Sequence, residues 1–136
     1  ICSGGGSVNA GISMYNTIME MNKKNIKTVS ISDGIVGSAA TYPYLACDHR
    51  KAHTNDRFLF HLPAAFISES TKLGSKDFAD EKDNMDDTLE IMKNIYISRT
   101  NNRMSLKVID NEMKNEKLVN IDDCIKWGVV NDTELL

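Results

Sequence analysis

The chain has 136 residues, of which 41% are hydrophobic and 26% are charged, a composition typical of a globular protein. Its 16 Lys and Arg residues are outnumbered by 19 Asp and Glu residues, so there is no basic stripe of the kind that binds nucleic acid. No apolar run approaches the roughly 18 residues that a membrane span requires. We therefore expect one domain over residues 1–136 that partners neither nucleic acid nor a membrane.

The chain contains three cysteines, Cys2, Cys47 and Cys124, which are too few and too scattered for a disulfide framework. None of them forms a Cys-x-x-Cys pair, so we expect no metal site. Unpaired cysteines favour a reducing compartment, and we expect a cytoplasmic protein. Because the chain begins with Ile1, in what the pattern indicates is a strand end, we also expect that it lacks its natural N-terminal segment.

The first stretch combines a glycine-rich loop with a helix. Three successive glycines, residues 4–6, precede apolar residues at helical spacing, which predicts a helix from Val8 to about residues 22–24. Such glycines can bring backbone N–H groups close to a ligand's oxygen or phosphate, or they can form a flexible turn. No Gly-Lys-Ser/Thr follows, so the loop is not a nucleotide-binding P-loop.

The next stretch is organised around Ser38. A strand is predicted over residues 27–32, followed by a turn in which Gly34 and Gly37 bend the backbone sharply. Ser38 then begins a predicted helix, beside backbone N–H groups that lack helical partners. This position suits a nucleophile, and the alternative is a buried N-cap serine. We expect Pro43 to kink this helix or to shift its start.

A second candidate for chemistry lies at a strand end. Residues 48–56 are polar and predict a surface connection, whereas residues 57–61 predict a strand that Pro63 ends. His61 is thereby left near the rim of a sheet, where a side chain is available to a substrate. The alternative is a histidine with a purely structural role.

The C-terminal half predicts three helices and a last strand. A polar loop over residues 68–82 precedes a long helix over residues 85–99, in which apolar residues recur at i, i+4 and i+7. Ser105 and Asn120 are each placed to cap a shorter helix. Residues 129–130 predict a final strand. Because strands and helices alternate, the sequence predicts an α/β fold with βαβ crossovers.

Four segments of the chain also form an ordered set of motifs. They are residues 2–17 (CSGGGSVNAGISMYNT), 34–41 (GIVGSAAT), 57–63 (RFLFHLP) and 116–131 (EKLVNIDDCIKWGVVN). In this order and at this spacing they resemble the proteolytic subunit of the Clp protease, the ClpP family of the ClpP/crotonase fold. The resemblance covers essentially the whole chain. It implies a spiral of repeated βαβ units, with the long helix forming the handle region between rings.

The resemblance also implies a site for a serine peptidase. Ser38 would be the nucleophile and His61 its general base, while the backbone N–H groups of Gly6 and Ala39, with Gly5 beside them, would bind substrate and form the oxyanion hole. A serine hydroxyl is a weak nucleophile at neutral pH and needs an adjacent base, and an imidazole can take the proton and return it to the leaving amine.

The third catalytic residue departs from the family's pattern. The family's aspartate falls at Glu116, whose side chain is one methylene longer. Glutamate can orient a histidine in hydrolase triads, so we predict this role for Glu116. Asp110 and Glu112 remain rivals for it, and a solvated loop carboxylate is the alternative for Glu116.

Other consequences follow from the resemblance. It implies unfolded polypeptide substrates and self-association into rings, heptamers or double heptamers, and it implies an AAA+ unfoldase that supplies the ATP chemistry. It implies no cofactor in the chain itself. Gly4 stands where the family has proline, Cys2 where it has asparagine and Ala40 where it has glycine. Such departures are typical of divergent and phage-type members.

Four other functions compete with this prediction. The chain could be a catalytically inactive ring subunit, or a phage head-maturation protease that uses the same chemistry. A crotonase-type acyl-CoA enzyme would not need the serine and histidine. A signal-peptide-peptidase-like enzyme would need a Ser–Lys dyad, and no lysine stands in a motif that fits this role.

Overall fold

A computed structural model of the chain describes residues 1–62 and 75–132, with residues 75–83 described as helical backbone. Five helices and five strands alternate along this part of the chain. They are α1 (Val8–Lys23), β1 (Val29–Ile31), β2 (Ile35–Gly37), α2 (Thr41–Ala46), β3 (His49–Lys51), β4 (Arg57–Leu59), α3 (Ser75–Arg99), α4 (Leu106–Asn115), β5 (Leu118–Val119) and α5 (Ile121–Lys126). One turn of 3₁₀ helix (Ser38–Ala40) joins β2 to α2.

The strands form two small sheets in which most neighbours are parallel. In one sheet β1 pairs with β3. In the other, β2 is flanked by Ser3, which forms a parallel bridge to Val36, and by the parallel strand β4. Strand β5 completes this sheet and runs antiparallel to β4. The predicted α/β class with parallel crossovers is therefore confirmed, and the carboxyl ends of Ser3, β2 and β4 meet at one edge.

Aromatic side chains fill the core behind this edge. Tyr42, Tyr44, Phe58, Phe60 and Tyr96 are all fully buried. The rings of Tyr44 and Phe58 lie 5.0 Å apart between centroids, and those of Phe60 and Tyr96 lie 5.3 Å apart, both edge to face. Such pairs contribute about 0.5–1.5 kcal/mol beyond the burial of their area. This packing holds β4 firmly against α2 and α3.

The segment before Ser38 contains a strand where a turn was predicted. Residues 35–37 form β2 because both of its edges find partners: the N–H of Gly37 donates to the carbonyl of Ser3 at 2.8 Å, and the N–H of Arg57 donates to the carbonyl of Gly34 at 2.9 Å. Ser38 therefore follows β2 directly.

The helix after Ser38 starts late, as Pro43 predicts. The 3₁₀ turn comes first, and α2 begins only at Thr41. Pro43 is the third residue of α2 and lies in its first turn, where a missing N–H costs no helical hydrogen bond.

Residues 48–56 are not a polar surface connection, and this prediction was wrong. They contain β3, and both Arg50 and Asp56 are buried, with 4% and 3% of their surface exposed. Arg50 tolerates burial because its guanidinium donates to four backbone carbonyls. These belong to Cys47, Arg99, Gly128 and Val129. Burial lowers the pKa of Arg50 to about 10, so the group stays charged at neutral pH.

The long helix is longer than the sequence predicts. It begins at Ser75, so the predicted polar loop is wrong for residues 75–82, which include two lysines, one alanine and one glutamate, all helix-favouring residues. Residues 68–74 of that loop and Pro63 lie outside the described residues.

The two capped helices are confirmed, but the last strand is not. The hydroxyl of Ser105 accepts from the N–H of Val108, and the side chain of Asn120 accepts from the N–H of Asp123 at 2.9 Å. Residues 129–130 are buried, but both of their N–H groups donate to the carbonyl of Cys124 in a turn. Their apolar character reflects burial, and the last strand within residues 1–62 and 75–132 is β5.

Candidate active site

Ser38 lies at the carboxyl end of β2 in an unusual backbone conformation. Its φ of 52° is in the left-handed region, which non-glycine residues seldom adopt and which costs on the order of 1–3 kcal/mol. The hydroxyl of Thr41 contacts the Ser38 carbonyl at 2.6 Å and the hydroxyl of Tyr96 at 2.9 Å. Ser38 is thus tied to the core through α2 and α3, while its own side chain is half-buried at the sheet edge.

The glycine-rich loop packs directly on the turn that carries Ser38. Gly5 has a φ of 112°, and a Cβ at this position would lie 2.5 Å from Cβ of Ser38 and 2.9 Å from the carbonyl oxygen of Gly37. A Cβ on Gly37 would lie 3.0 Å from the carbonyl oxygen of Gly4. The two backbones can approach this closely only because Gly5 and Gly37 have no side chain.

Two backbone N–H groups are available beside Ser38. In the part of the chain that the structure describes, no backbone or side-chain acceptor takes the N–H of Gly6. Ala39 lies in the first turn of the 3₁₀ helix, where N–H groups lack helical acceptors. Both residues line the same cavity, of about 130 Å³. An oxyanion hole requires two free N–H donors that converge on one point, and those of Gly6 and Ala39 are the candidates here.

His61 and Glu116 lie next to each other at the same edge. The antiparallel register of β4 and β5 pairs Phe58 with Val119 and Leu59 with Leu118, and its continuation sets His61 opposite Glu116. The distance from Nδ1 of His61 to Oε1 of Glu116 is 3.9 Å. This is longer than a hydrogen bond but short enough for an ion pair. The side chains are 27% and 57% exposed, respectively.

The two rival carboxylates have other partners. Asp110 forms an ion pair with Lys93, in which Nζ and Oδ1 are 2.6 Å apart. Glu112 accepts from the side-chain amide of Asn111 at 3.0 Å. Of the three carboxylates, Glu116 is therefore the one that the structure brings to His61.

Ser38 and His61 follow the ends of two hydrogen-bonded parallel strands. Gly37 of β2 is in register with Leu59 of β4, so Ser38 comes one residue and His61 two residues beyond this pair. Neighbouring strands lie about 4.8 Å apart, which brings a hydroxyl and an imidazole to one end of the sheet. Nucleophilic catalysis uses a serine with an adjacent base that a third group orients; here the register sets Ser38 and His61 at one end of the sheet, and His61 lies beside Glu116.

Asp56 is a structural anchor, at the end of the sheet opposite the candidate site, that sequence analysis missed. Its buried carboxylate accepts from the hydroxyl of Ser32 and, at 2.8 Å each, from the N–H groups of Gly34 and His53. Burial raises the pKa of Asp56, but these hydrogen bonds outweigh it and hold the pKa below its usual value. Asp56 thereby joins the amino ends of β2 and β4, opposite the end that carries Ser38. The polar sequence of residues 48–56 does not indicate that one of its carboxylates is buried and joins two strands.

Two further features bear on the kinds of site that the chain offers. No helix within residues 1–62 and 75–132 is both long and apolar enough to cross a membrane. The same residues contain no group of three or more His, Cys, Asp and Glu side chains that could hold a metal ion.

Comparisons with known proteins agree with this fold. A family model described as Clp protease matches residues 1–133. Among solved structures, a ClpP1 mutant from Listeria monocytogenes matches with a TM-score of 0.77 and 24% sequence identity, covering 100% of this chain and 70% of that chain. At this identity the likeness shows the fold alone. No curated protein sequence matches. Because the family model spans nearly all of the chain, the chain belongs to the Clp protease family and has the ClpP fold.

Proposed function

We propose that the chain is a serine endopeptidase in which Ser38 is the nucleophile and His61 the general base. One observation carries the proposal: a left-handed serine, a glycine loop that contacts it and a histidine beside a carboxylate all lie at one edge of the sheet formed by β2, β4 and β5. Strained residues of this kind persist where the surrounding structure enforces them, often at functional sites.

The proposed reaction begins with proton transfer. Nδ1 of His61 faces Glu116, so Nε2 takes the proton from Oγ of Ser38 as that oxygen attacks the peptide carbonyl. The N–H groups of Gly6 and Ala39 bind the oxyanion that forms, and each such donor stabilises it by about 3 kcal/mol. The imidazolium then protonates the leaving amine, and water hydrolyses the acyl-enzyme by the same steps.

Glu116 is the proposed orienting residue. It follows α4 in the left-handed conformation, with a φ of 51°, which ends the helix and sets the side chain beside His61. A carboxylate here favours the tautomer with a proton on Nδ1 and stabilises the imidazolium that forms during attack. Glu116 precedes β5, and the methylene that glutamate has beyond aspartate extends its carboxylate towards His61, which follows β4.

The proposal extends to the setting of the reaction. Members of the Clp protease family generally form rings and work with unfoldases. We propose that this chain likewise cleaves unfolded polypeptides inside a ring, supplied by an AAA+ unfoldase. The chain's own residues supply the hydrolytic chemistry, and the ATP chemistry belongs to that partner.

Peptide hydrolysis by the full-length, assembled protein tests the proposal. Ser38→Ala and His61→Ala should each reduce kcat by about 10⁴-fold or more, because nucleophile and base act as one unit. The matched controls are Ser13→Ala and His49→Ala, which change exposed residues away from the site and should retain full activity. Undiminished activity in Ser38→Ala would refute the assignment. No activity in the unmodified protein would favour an inactive ring subunit.

A further inference from the structure

Two buried hydroxyls form a hydrogen-bonded chain that ends on the carbonyl of Ser38. The side-chain hydroxyl of Thr41 lies 2.6 Å from this carbonyl oxygen, and the hydroxyl of Tyr96 lies 2.9 Å from that of Thr41. Thr41 and Tyr96 are both fully buried. Thr41 begins α2, whereas Tyr96 belongs to the distant helix α3. The turn that carries Ser38 is therefore held in part by a residue that is far away in the sequence.

The direction of both hydrogen bonds follows from the protons available. A carbonyl oxygen can only accept, so the single hydroxyl proton of Thr41 is donated to the carbonyl of Ser38. The oxygen of the Thr41 hydroxyl then accepts from the hydroxyl of Tyr96. Burial raises the pKa of Tyr96 to about 12, so this hydroxyl keeps its proton at neutral pH. The chain thus runs in one direction, from Tyr96 through Thr41 to Ser38.

The carbonyl at the end of this chain belongs to the same peptide group as the N–H of Ala39. That peptide group is trans and planar, so its C=O and its N–H point in opposite directions from one rigid unit. A hydrogen bond that fixes the oxygen of Ser38 therefore also fixes the direction of the Ala39 N–H. This N–H is one of the two donors proposed to bind the oxyanion.

The turn needs this support because Ser38 is strained. Its φ is 52°, and a residue other than glycine stays in this region only where its surroundings enforce the conformation. The backbone N–H of Thr41 also donates to the carbonyl of Ser38, but it is shared with the carbonyl of Ala39. The side-chain hydroxyl of Thr41 supplies the hydrogen bond that is not divided in this way.

Tyr96 also contacts the strand that leads to the proposed base. Its ring packs edge to face on the ring of Phe60, with 5.3 Å between the centroids. Phe60 is fully buried and immediately precedes His61. One side chain of α3 therefore contacts both the residue that supports Ser38 and the residue before His61.

We propose that Thr41 and Tyr96 are positioning residues for peptide hydrolysis, and that their hydroxyls orient the N–H of Ala39 towards the oxyanion. The inference rests on the proposed function. Both hydroxyls are buried and act through the Ser38 carbonyl, so neither contacts the substrate. Their loss should therefore lower kcat, which depends on binding of the oxyanion, and should leave KM nearly unchanged.

Removal of one hydroxyl at a time, in the assembled full-length protein, tests the inference. Thr41→Val keeps the shape of the side chain but removes its hydroxyl. Loss of a whole oxyanion donor costs about 100-fold to 1,000-fold in kcat, and here the donor remains but is held less firmly, so we expect a loss of about tenfold. Tyr96→Phe leaves the hydrogen bond from Thr41 and the packing on Phe60 in place, so its loss should be smaller, about threefold. Inhibition by a peptide aldehyde, whose oxygen takes the oxyanion position once its carbon is bonded to Oγ of Ser38, should weaken in parallel with kcat.

Two matched variants separate positioning from a general loss of stability. Thr41→Ser restores the hydroxyl and should keep kcat within about twofold of normal. Tyr44→Phe removes another buried hydroxyl of α2, which donates instead to the carbonyl of Lys51 at 2.9 Å. It should lower the free energy of unfolding about as much as Tyr96→Phe does, but leave kcat unchanged.

Two outcomes would overturn the inference. One is an equal loss of kcat in Thr41→Val and Thr41→Ser, and the other is an equal loss in Tyr44→Phe and Tyr96→Phe. Either result would show that these side chains serve stability alone. If Thr41→Val does not assemble, the comparison of Tyr96→Phe with Tyr44→Phe decides by itself.

The unmodified protein separates this inference from the proposed function. If it hydrolyses peptides and a fluorophosphonate labels Ser38, while Thr41→Val and Tyr96→Phe retain normal kcat, the positioning roles alone are refuted. Absence of both labelling and hydrolysis in the unmodified protein refutes the peptidase assignment, and the positioning roles with it.

Discussion

The two halves of the candidate site are held in different ways. On the nucleophile side, backbone meets backbone: Gly5 touches the turn of Ser38 so closely that no Cβ fits between them, and the core fixes the turn from behind. On the base side, two long side chains meet at 3.9 Å with 27% and 57% of their surface exposed. Only the base side depends on the rotamers of two solvent-exposed side chains.

This difference indicates where the site tolerates change. Contacts between backbone atoms cannot relax without moving a strand or a loop, so substitutions there should be severe. Exposed side chains lose conformational entropy when they stay in one geometry and are screened by solvent, so each contact between them is worth less. We therefore expect substitutions at the backbone contacts of the nucleophile half to cause large losses of activity. Substitutions in the base half should cause smaller losses.

Among substitutions that leave Ser38 and His61 in place, the largest effect is expected from a methyl group in the glycine-rich loop. Gly5→Ala creates a clash with Ser38 and forces alanine to a φ of 112°, so the loop and the N–H of Gly6 must shift. A displacement of about 1 Å in a catalytic group can cost about 100-fold in rate, and we expect a loss of this size in kcat for peptide hydrolysis.

Gly4→Ala is the matched control for this change. A Cβ added at Gly4 would have no heavy atom within 4 Å, and Gly4 does not have a positive φ, so this variant should stay within a few-fold of normal activity. Equal losses in the two variants would show that the loop is simply intolerant of side chains, and would contradict the specific contact with Ser38.

A smaller effect is expected on the base side. Glu116→Gln removes the charge that faces His61 and should lower kcat about tenfold, well short of the about 10⁴-fold seen when a buried triad carboxylate is replaced. In Glu116→Asp the side chain is one methylene shorter, so its carboxylate would lie farther than 3.9 Å from Nδ1 of His61, and this variant should not restore the rate. Asp110→Asn, which breaks only the ion pair with Lys93, is the control. A larger loss in Asp110→Asn than in Glu116→Gln would reverse the assignment.

The smallest effect on activity is expected at Asp56, where the change should appear in stability. Its pKa is lowered in the folded state, so its contribution is fully present above the unfolded pKa of about 4 and is lost as the pH falls through the folded value. Asp56→Asn should lower the free energy of unfolding at pH 7 by about 1–3 kcal/mol, because buried donors lose their acceptor.

The pH dependence of stability below pH 7 distinguishes the loss of the ionised Asp56 carboxylate from a loss of stability that is the same at every pH. Denaturant titrations between about pH 7 and pH 3 should show a shallower acid-induced loss of stability for Asp56→Asn than for the unmodified protein. Asp33→Asn, which changes an exposed carboxylate, should follow the unmodified protein. A parallel shift of the Asp56→Asn curve at every pH would contradict the proposed role of its ionised form.

The sequence predicts the motif-bearing parts of this fold well. Ser38 and His61 both follow strands, and the caps Ser105 and Asn120 start the helices that they were expected to start. These features are local, because a hydrophobic period or a capping side chain acts within a few residues. The family's pattern aligns its aspartate with Glu116, and Glu116 lies near His61 in the structure. The alignment by itself gives no distance between the two side chains.

The features that the sequence does not reveal depend on distant partners. Strand β2 has only three residues and exists because Ser3 and β4 flank it. Arg50 is buried because carbonyls from three separate parts of the chain surround its guanidinium. Asp56 is buried because three donors converge on it. Polar residues at such positions have the pattern of a surface loop, so only the assembled fold distinguishes them.

The most direct test of the central claim is the reactivity of Ser38 towards a fluorophosphonate, measured by mass spectrometry on the full-length, assembled protein. A single adduct on Ser38, formed far more slowly in His61→Ala and at the normal rate in His49→Ala, is the predicted result. Labelling of Ser38 that does not depend on His61, or no labelling of Ser38 at all, would contradict the proposal that these two residues act together as nucleophile and base.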